Sequence, residues 1–238
     1  MIIDITKSGY QKGYLSKEGT GVFHAFFPTA NAAFRKEALI KTGGFDTYCK
    51  TGEDIDLSIR VAKSGYELWF EPSAKITHFH RYTLKGLIKQ WFYYGYGHAY
   101  LFKKHVKKSR IQFYRYNISP ENKNPFGISK VLDITFPIYG MIFLNSYHLM
   151  HIALIISVVS FLFNFFILGT LSSVIFFLSS FWYLGIRFDP RKPLKSILFS
   201  AIRYLADGAY VIGGILGGIK EGVIYLEATR TRRHVSTL

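Results

Sequence analysis

The sequence predicts an α/β lobe followed by a helical membrane region. Three observations carry this expectation. Over residues 1 to 115, short helix-like and strand-like stretches alternate, punctuated by glycine and proline. From Ile134 to Ile186 there is no Asp, Glu, Lys or Arg. The chain also combines a mean hydropathy of +0.15 with a formal charge of +15, and so much positive charge calls for an anionic partner. Because the basic residues sit beside the apolar stretches, that partner is expected to be membrane lipid. No nucleic-acid module is recognisable, so no nucleic-acid partner is expected. A single cysteine, Cys49, excludes an intramolecular disulfide. Met1 to Tyr10 carries Asp4 and Lys7 and reads unlike a signal peptide.

Taken in order, Ala33 to Thr42 reads as helix, stopped by Gly43-Gly44. A second helix is expected from near Asp54 to Gly65, with Asp56 and Arg60 pairing across one turn on its outer face. Tyr66 to Phe70 and Ala74 to Phe79 are strand candidates separated by Pro72. Thr83 can cap a long helix whose Leu84, Leu87, Ile88, Trp91, Gly95, His98 and Phe102 form one buried stripe. Residues 116–133 read as a linker. The uncharged run, residues 134–187, is long enough for a transmembrane hairpin, since a span takes about 20 apolar residues. It is cut at Ser146 to Leu168 and Leu171 to Arg187, with a short connection at Gly169. Basic residues beyond both outer ends place those ends in the cytoplasm. Residues 188–238 read as an interfacial or re-entrant helix with a basic tail. There Arg203 and Asp207 can neutralise each other, and Gly213, Gly214, Gly217 and Gly218 allow close helix packing.

The chemistry is concentrated between Phe27 and His105. Thr29-Ala30-Asn31 is followed by Gly43-Gly44-Phe45-Asp46, then by Gly52-Glu53-Asp54-Ile55-Asp56, Glu71-Pro72, His78-Phe79-His80-Arg81 and Tyr94-Gly95-Tyr96-Gly97. A carboxylate at a helix start, bathed in unpaired amides, is expected to stay ionised and able to accept a proton. The plainer reading of Asp54 is a helix N-cap. In their order and intervals these motifs resemble the second half of family 2 glycosyltransferases of the GT-A fold. The resemblance implies a partial GT-A lobe over residues 1–115, with Asp54 as catalytic base and Glu53 contacting the acceptor or supporting Asp54. It places Phe45 and Asp46 near the acceptor pocket and Asn31 on a loop facing the sugars, although the family's Gly-x-Asn is here Thr29-Ala30-Asn31. It also implies a divalent metal, Mg or Mn, with His78 as ligand and His80 as the alternative; a structural histidine is the plainer reading. Asp56 and Arg60 read as structural. Processive synthases carry Gln-x-x-Arg-Trp where this chain has Gln90-Trp91-Phe92-Tyr93, which implies transfer of a single sugar.

A complete enzyme of this type begins with a nucleotide-binding βαβ region and an Asp-x-Asp pair, and neither is expected here. Asp54-x-Asp56 has the letters but follows Gly-Gly-Phe-Asp, the wrong place in the fold. A nucleotide sugar is therefore expected to bind only with an N-terminal half or a partner chain. Two functions compete. One is an inverting glycosyltransferase acting on a lipid-linked or membrane-proximal acceptor, its catalytic lobe on the cytoplasmic side. The other is a noncatalytic membrane anchor or regulatory remnant of such an enzyme.

Overall fold

In the computed structural model, the described residues are 28–66, 68, 74, 76–77, 81–105, 110–114, 128–133, 140–185 and 188–227. After a 3-10 turn at Thr29–Asn31, helix α1 spans Lys36–Thr42, α2 Glu53–Lys63 and α3 Leu84–His105. Strands β1 (Arg110–Tyr114), β2 (Ile128–Asp133) and β3 (Gly140–Leu144) follow, then helices α4 (Ser146–Leu162), α5 (Phe166–Gly185) and α6 (Pro193–Glu221), and a last strand β4 (Ile224–Glu227).

The helix signals are where the residues put them. Gly43 and Gly44, at φ 76° and 68°, stop α1 in the left-handed region that glycine enters without penalty. Thr83 Oγ1 accepts the free amide of Gly86 at 3.1 Å at the start of α3. α2 carries Glu53, Asp54 and Asp56 in its first turn and Arg60 and Lys63 in its last, the polarity that suits the helix dipole. Its apolar face, Ile55 and Ile59, packs with Cys49 and Leu101.

The sheet departs from expectation. Its order is β2-β1-β3-β4, with β1 antiparallel to β2 and parallel to β3, and β3 parallel to β4. It is built from the basic stretch, the expected linker, the start of the uncharged run and the tail. Among the described residues of 28–105 there is no strand, only a bridge residue at Leu68, so these residues do not display an α/β lobe. The strand candidates Tyr66 to Phe70 and Ala74 to Phe79 fall mostly outside the described residues. Gly140 to Leu144 looked like membrane sequence because a short apolar run carries no periodicity that separates a buried strand from a helix.

Two helix pairs organise the rest. α3 and α6 cross through glycines: a Cβ on Gly95 would lie 2.0 Å from Tyr210 O, and one on Gly217 would lie 2.4 Å from Tyr96 O. Gly214 and Gly218, on the adjacent face of α6, receive Tyr225 and Val223 from the β4 segment. So Gly213 and Gly217 of α6 serve the contact with α3, and Gly214 and Gly218 the contact with the β4 segment. Gly222, at φ 69°, ends the helix and turns the chain back. The buried carboxylate of Glu227 then accepts from Tyr210 and Tyr225, tying β4 to α6.

The second pair is α4 and α5. Here small residues face inward: Ala153, Ser157, Ser160, Gly169, Ser172 and Ser179 are buried. Ser157 and Ser173 share a hydroxyl–hydroxyl bond of 2.7 Å. Large apolar side chains face outward, with Ile167 80% and Phe181 78% exposed. α5 is the one helix among the described residues long and apolar enough to cross a membrane; α4 is apolar but shorter. The connection lies at Asn164, at φ 61°, rather than at Gly169, which sits inside α5 against the ring of Phe161. Asn takes the left-handed conformation at less cost than other side chains, whereas Gly169 is small for packing reasons. Arg203 and Asp207 do pair, at 3.1 Å; the Arg203 guanidinium also covers Trp91, and Tyr183 of α5 donates to Asp207 at 2.8 Å.

Candidate functional site

Four carboxylates fall between Asp46 and Asp56, and the fold treats them differently. Asp46 Oδ2 accepts from Lys104 at 2.6 Å and Tyr100 at 2.5 Å, while Oδ1 accepts the amide of Tyr48 at 2.9 Å. These partners, Lys104 first, bring its carboxyl down to about 2. Asp46 is thus a strut between the loop after α1 and the end of α3. Phe45 beside it is 47% exposed.

Asp56 is fully buried, not on the outer face. It accepts from Arg60 at 2.8 Å and His105 at 2.8 Å, and lies 2.7 Å from Lys104. Burial pushes its carboxyl up, but the bonds from His105, Arg60 and Lys104 more than offset that and hold it below the ordinary range. Arg60 also donates to Thr42 O at 2.5 Å and Gly44 O at 2.6 Å, satisfying backbone carbonyls at the end of α1. The pairing of Asp56 with Arg60 was legible; its inward direction was not, because Lys104 and His105 also reach it from α3, and nothing in the local spacing announces them.

Asp54 stands apart. Gly52, at φ 79°, is the N-cap residue of α2, so Asp54 lies inside the first turn and the capping alternative does not apply. Its Oδ1 accepts the amide of Ile55 at 2.8 Å, and among the described residues no cation pairs with it. Desolvation raises its carboxyl above the ordinary value, the Ile55 amide opposes this, and the neighbouring Glu53 charge adds to it. The helix-start amides were expected to favour the ionised form outright. Instead burial wins. A carboxylate without a counter-cation is the better proton acceptor, because a higher pKa moves it toward the working pH.

Asn31, in the 3-10 turn, donates from its Nδ2 to Ala74 O at 2.8 Å. His78 and His80 lie outside the described residues. Among the described residues no three His, Cys, Asp or Glu side chains are grouped to hold a metal ion.

Residues mostly outside the motifs, with Tyr96 and Gly97 of Tyr94-Gly95-Tyr96-Gly97 among them, line a cavity of about 150 Å³ between the loop before α2, α3 and the end of α6. Tyr48, Thr51, Tyr93, Tyr96, Tyr100 and Lys220 form its walls, with Glu221 and Lys50. Thr51 donates to Tyr93 O at 2.7 Å, and Gly97 leaves room for Thr51, whose Oγ1 would be 2.0 Å from a Cβ there. Tyr48 and Tyr100 rings meet at 4.9 Å between centroids. Tyr48 donates to Glu221 at 3.0 Å, and Lys103 holds the other oxygen at 3.3 Å. The three-and-four recurrence of Tyr93, Tyr96 and Tyr100 was a readable signal for one wall. Lys220 and Glu221 come from so far along the chain that no local pattern could have found them.

The family model described as Glycosyl transferase family group 2 matches residues 8–188. The chain belongs to this family. Pre-mycofactocin glycosyltransferases of Mycobacterium tuberculosis (strains CDC 1551 / Oshkosh and ATCC 25618 / H37Rv) are 35% identical over 85 residues, 36% of this chain and 18% of theirs. The succinoglycan biosynthesis protein ExoA of Rhizobium meliloti (strain 1021) is 36% identical over 91 residues, 38% of this chain and 28% of its own. The matched region thus spans less than a third of these curated relatives. No solved structure matches the chain. A family 2 glycosyltransferase is a transferase by resemblance, as the Gly-Gly-Phe-Asp and Glu-Asp motifs implied.

Proposed function

We propose that the chain is the acceptor-side part of a membrane-attached, inverting glycosyltransferase in which Asp54 takes the proton of the attacking acceptor hydroxyl. The observation that carries this reading is the contrast among neighbouring carboxylates. Asp46 and Asp56 are saturated by cations and hydrogen bonds, whereas Asp54 is desolvated and keeps acceptor capacity. A proton acceptor must have a lone pair to spare, and a carboxylate clamped by Lys, Arg and His does not. Glu53, beside it in the first turn, keeps negative charge close and so supports the basicity of Asp54.

The donor nucleotide sugar would be held with an N-terminal half or partner chain. Part of the same proposal is a divalent cation, Mg or Mn, with His78 among its ligands. The acceptor is lipid-linked or membrane-proximal, and one sugar is transferred. The membrane part of the reading rests on the inverted packing of α4 and α5, small inside and large apolar outside. That is how helices associate in lipid, where there is no hydrophobic gain from burying leucine. Basic residues flanking this pair support a catalytic lobe on the cytoplasmic side.

The test is transfer by the chain joined to, or co-expressed with, a donor-binding half, supplied with nucleotide sugars and divalent cation. Metal-dependent transfer that disappears in Asp54→Asn supports the reading. Wild-type rates in that variant would remove Asp54 from the base role.

A further inference from the structure

The tyrosine-walled cavity takes no part in the proton transfer just described, yet it is the described concavity beside the start of α2. Thr51 in its wall is three residues before Asp54, which limits their Cα atoms to a separation of about 11 Å. We infer that this cavity is an acceptor subsite for a saccharide ring that carries a negative group, a phosphate or carboxylate. The inference rests on the glycosyltransferase reading and adds the acceptor's chemical class.

Two features placed together give that class. Four phenol side chains, Tyr48, Tyr93, Tyr96 and Tyr100, line a space suited to one hexose-sized ring. A tyrosine offers a flat apolar face to the C–H side of a pyranose, and with Tyr48 and Tyr100 already donating to Glu221 and Asp46, hydroxyl donors for its polar edge would come from Tyr93 and Tyr96. The charge is the second feature. Lys220 Nζ stands 4.8 Å from the Tyr48 ring centroid and 5.5 Å from that of Tyr96. It has no carboxylate partner among the described residues, because the adjacent Glu221 is already engaged by Tyr48 and Lys103. Lys50 adds another ammonium to the lining. A ligand that satisfies both features presents a ring to the tyrosines and an anion to Lys220, forming a charge-assisted bond there. A neutral sugar would leave Lys220 with its tyrosine contacts alone, and a bare anion would leave the aromatic walls unused.

Binding to the full chain in nanodiscs tests this without any turnover. The probes are glucose 6-phosphate, glucose and inorganic phosphate in solution, and phosphatidylinositol against phosphatidylglycerol in the bilayer. Expected is a preference of at least about ten-fold for the sugar phosphate over both glucose and phosphate, read by calorimetry and saturation-transfer NMR. If preference appears for phosphatidylinositol rather than the soluble ester, the same chemistry comes from a lipid. Lys220→Gln should remove the preference and Lys220→Arg should retain it, while Tyr93→Leu should weaken glucose 6-phosphate and glucose alike. Both positions are solvent-facing enough for the variants to fold, which circular dichroism checks. Asp54→Asn should bind like wild type, so loss of transfer with retained binding leaves both readings standing. Retained transfer in Asp54→Asn with retained preference removes the base assignment alone. Equal affinity for phosphate and sugar phosphate, no preference in either arm, or an unaltered preference in Lys220→Gln overturns the inference.

Discussion

Gly213 of α6 lies so close to the backbone of Phe92 in α3 that a Cβ on the glycine would stand 2.0 Å from the Phe92 carbonyl oxygen. No side-chain rearrangement relieves such a contact, since the obstacle is main chain. Gly213→Ala must therefore spread the two helices. The expected cost is about 1–3 kcal/mol, the usual range for overpacking, seen as a lower melting temperature by circular dichroism in detergent. Gly185→Ala is the control: nothing lies within 4 Å of a Cβ there, so its melting should match wild type. Equal effects of the two substitutions would show that the α3–α6 crossing is looser than described.

The Asp56 cluster predicts a severe loss from a small change. Asp56→Ala removes a fully buried carboxylate and leaves Arg60, His105 and part of Lys104 without their acceptor. Removing one partner from a buried ionic group costs roughly 3–5 kcal/mol. It also frees the guanidinium that holds Thr42 O and Gly44 O, so α1 and the Phe45–Asp46 loop should lose order along with α2. Amide exchange measures this: protection should fall in α1 as well as in α2. Loss confined to α2 would mean that Arg60 holds the α1 end unaided.

Asp54 and Asp46 predict opposite pH behaviour. The carboxyl of Asp46 is held near 2 against an unfolded value of 3.8. Its stabilisation is present above 3.8 and is lost as pH falls toward 2. Asp54 is raised, so ionising it at neutral pH works against the folded state. Any stability linked to it is complete below 3.8 and declines as pH rises through the raised folded value. Asp54→Asn should consequently melt higher than wild type at pH 7, with the gap closing below pH 4, while transfer drops by roughly 10²–10⁴-fold. Asparagine can still accept the Ile55 amide, which keeps the first turn intact. A variant less stable than wild type at pH 7 would contradict the desolvated position of Asp54.

How much of this could be read beforehand depends on the range of the interaction. Helix ends at Gly43, Thr83 and Gly222 rest on local backbone rules, and two of them, Gly43 and Thr83, were anticipated. The Arg203–Asp207 pair and the packing use of the α6 glycines follow from spacing within one helix. What these glycines pack against does not: Gly213 and Gly217 meet α3, and Gly214 and Gly218 meet the β4 segment, contacts across more than 100 residues of chain in the first case. The same holds at the site. The Glu53-Asp54 motif was visible, but the clamps that set Asp46 and Asp56 apart from Asp54 come from Tyr100, Lys104 and His105 at the far end of α3. A motif names candidate carboxylates; tertiary partners decide which one stays available.

The turn between α4 and α5 gives the remaining prediction. Asn164 adopts φ 61°, and the Asn164 and Phe165 amides are satisfied by Phe161 O and Ser160 O, so the turn carries no exposed backbone donor at its tip. α4 has 17 residues and α5 has 20, or about 26 and 30 Å of helix at 1.5 Å per residue, close to the ~30 Å of a bilayer core. If both cross, Asn164 reaches the far interface while Arg191, beyond the end of α5, stays on the side from which α4 enters. In a Cys49→Ser background, Asn164→Cys should react with a membrane-impermeant maleimide on intact cells, and Arg191→Cys should react only after permeabilisation. Cys49 is buried, so its removal mainly clears the background. Exclusion of Asn164→Cys from the outside in intact cells, with both sites reactive in opened ones, would make the pair a re-entrant hairpin whose turn stops short of the far face, and the two-span reading would have to be given up.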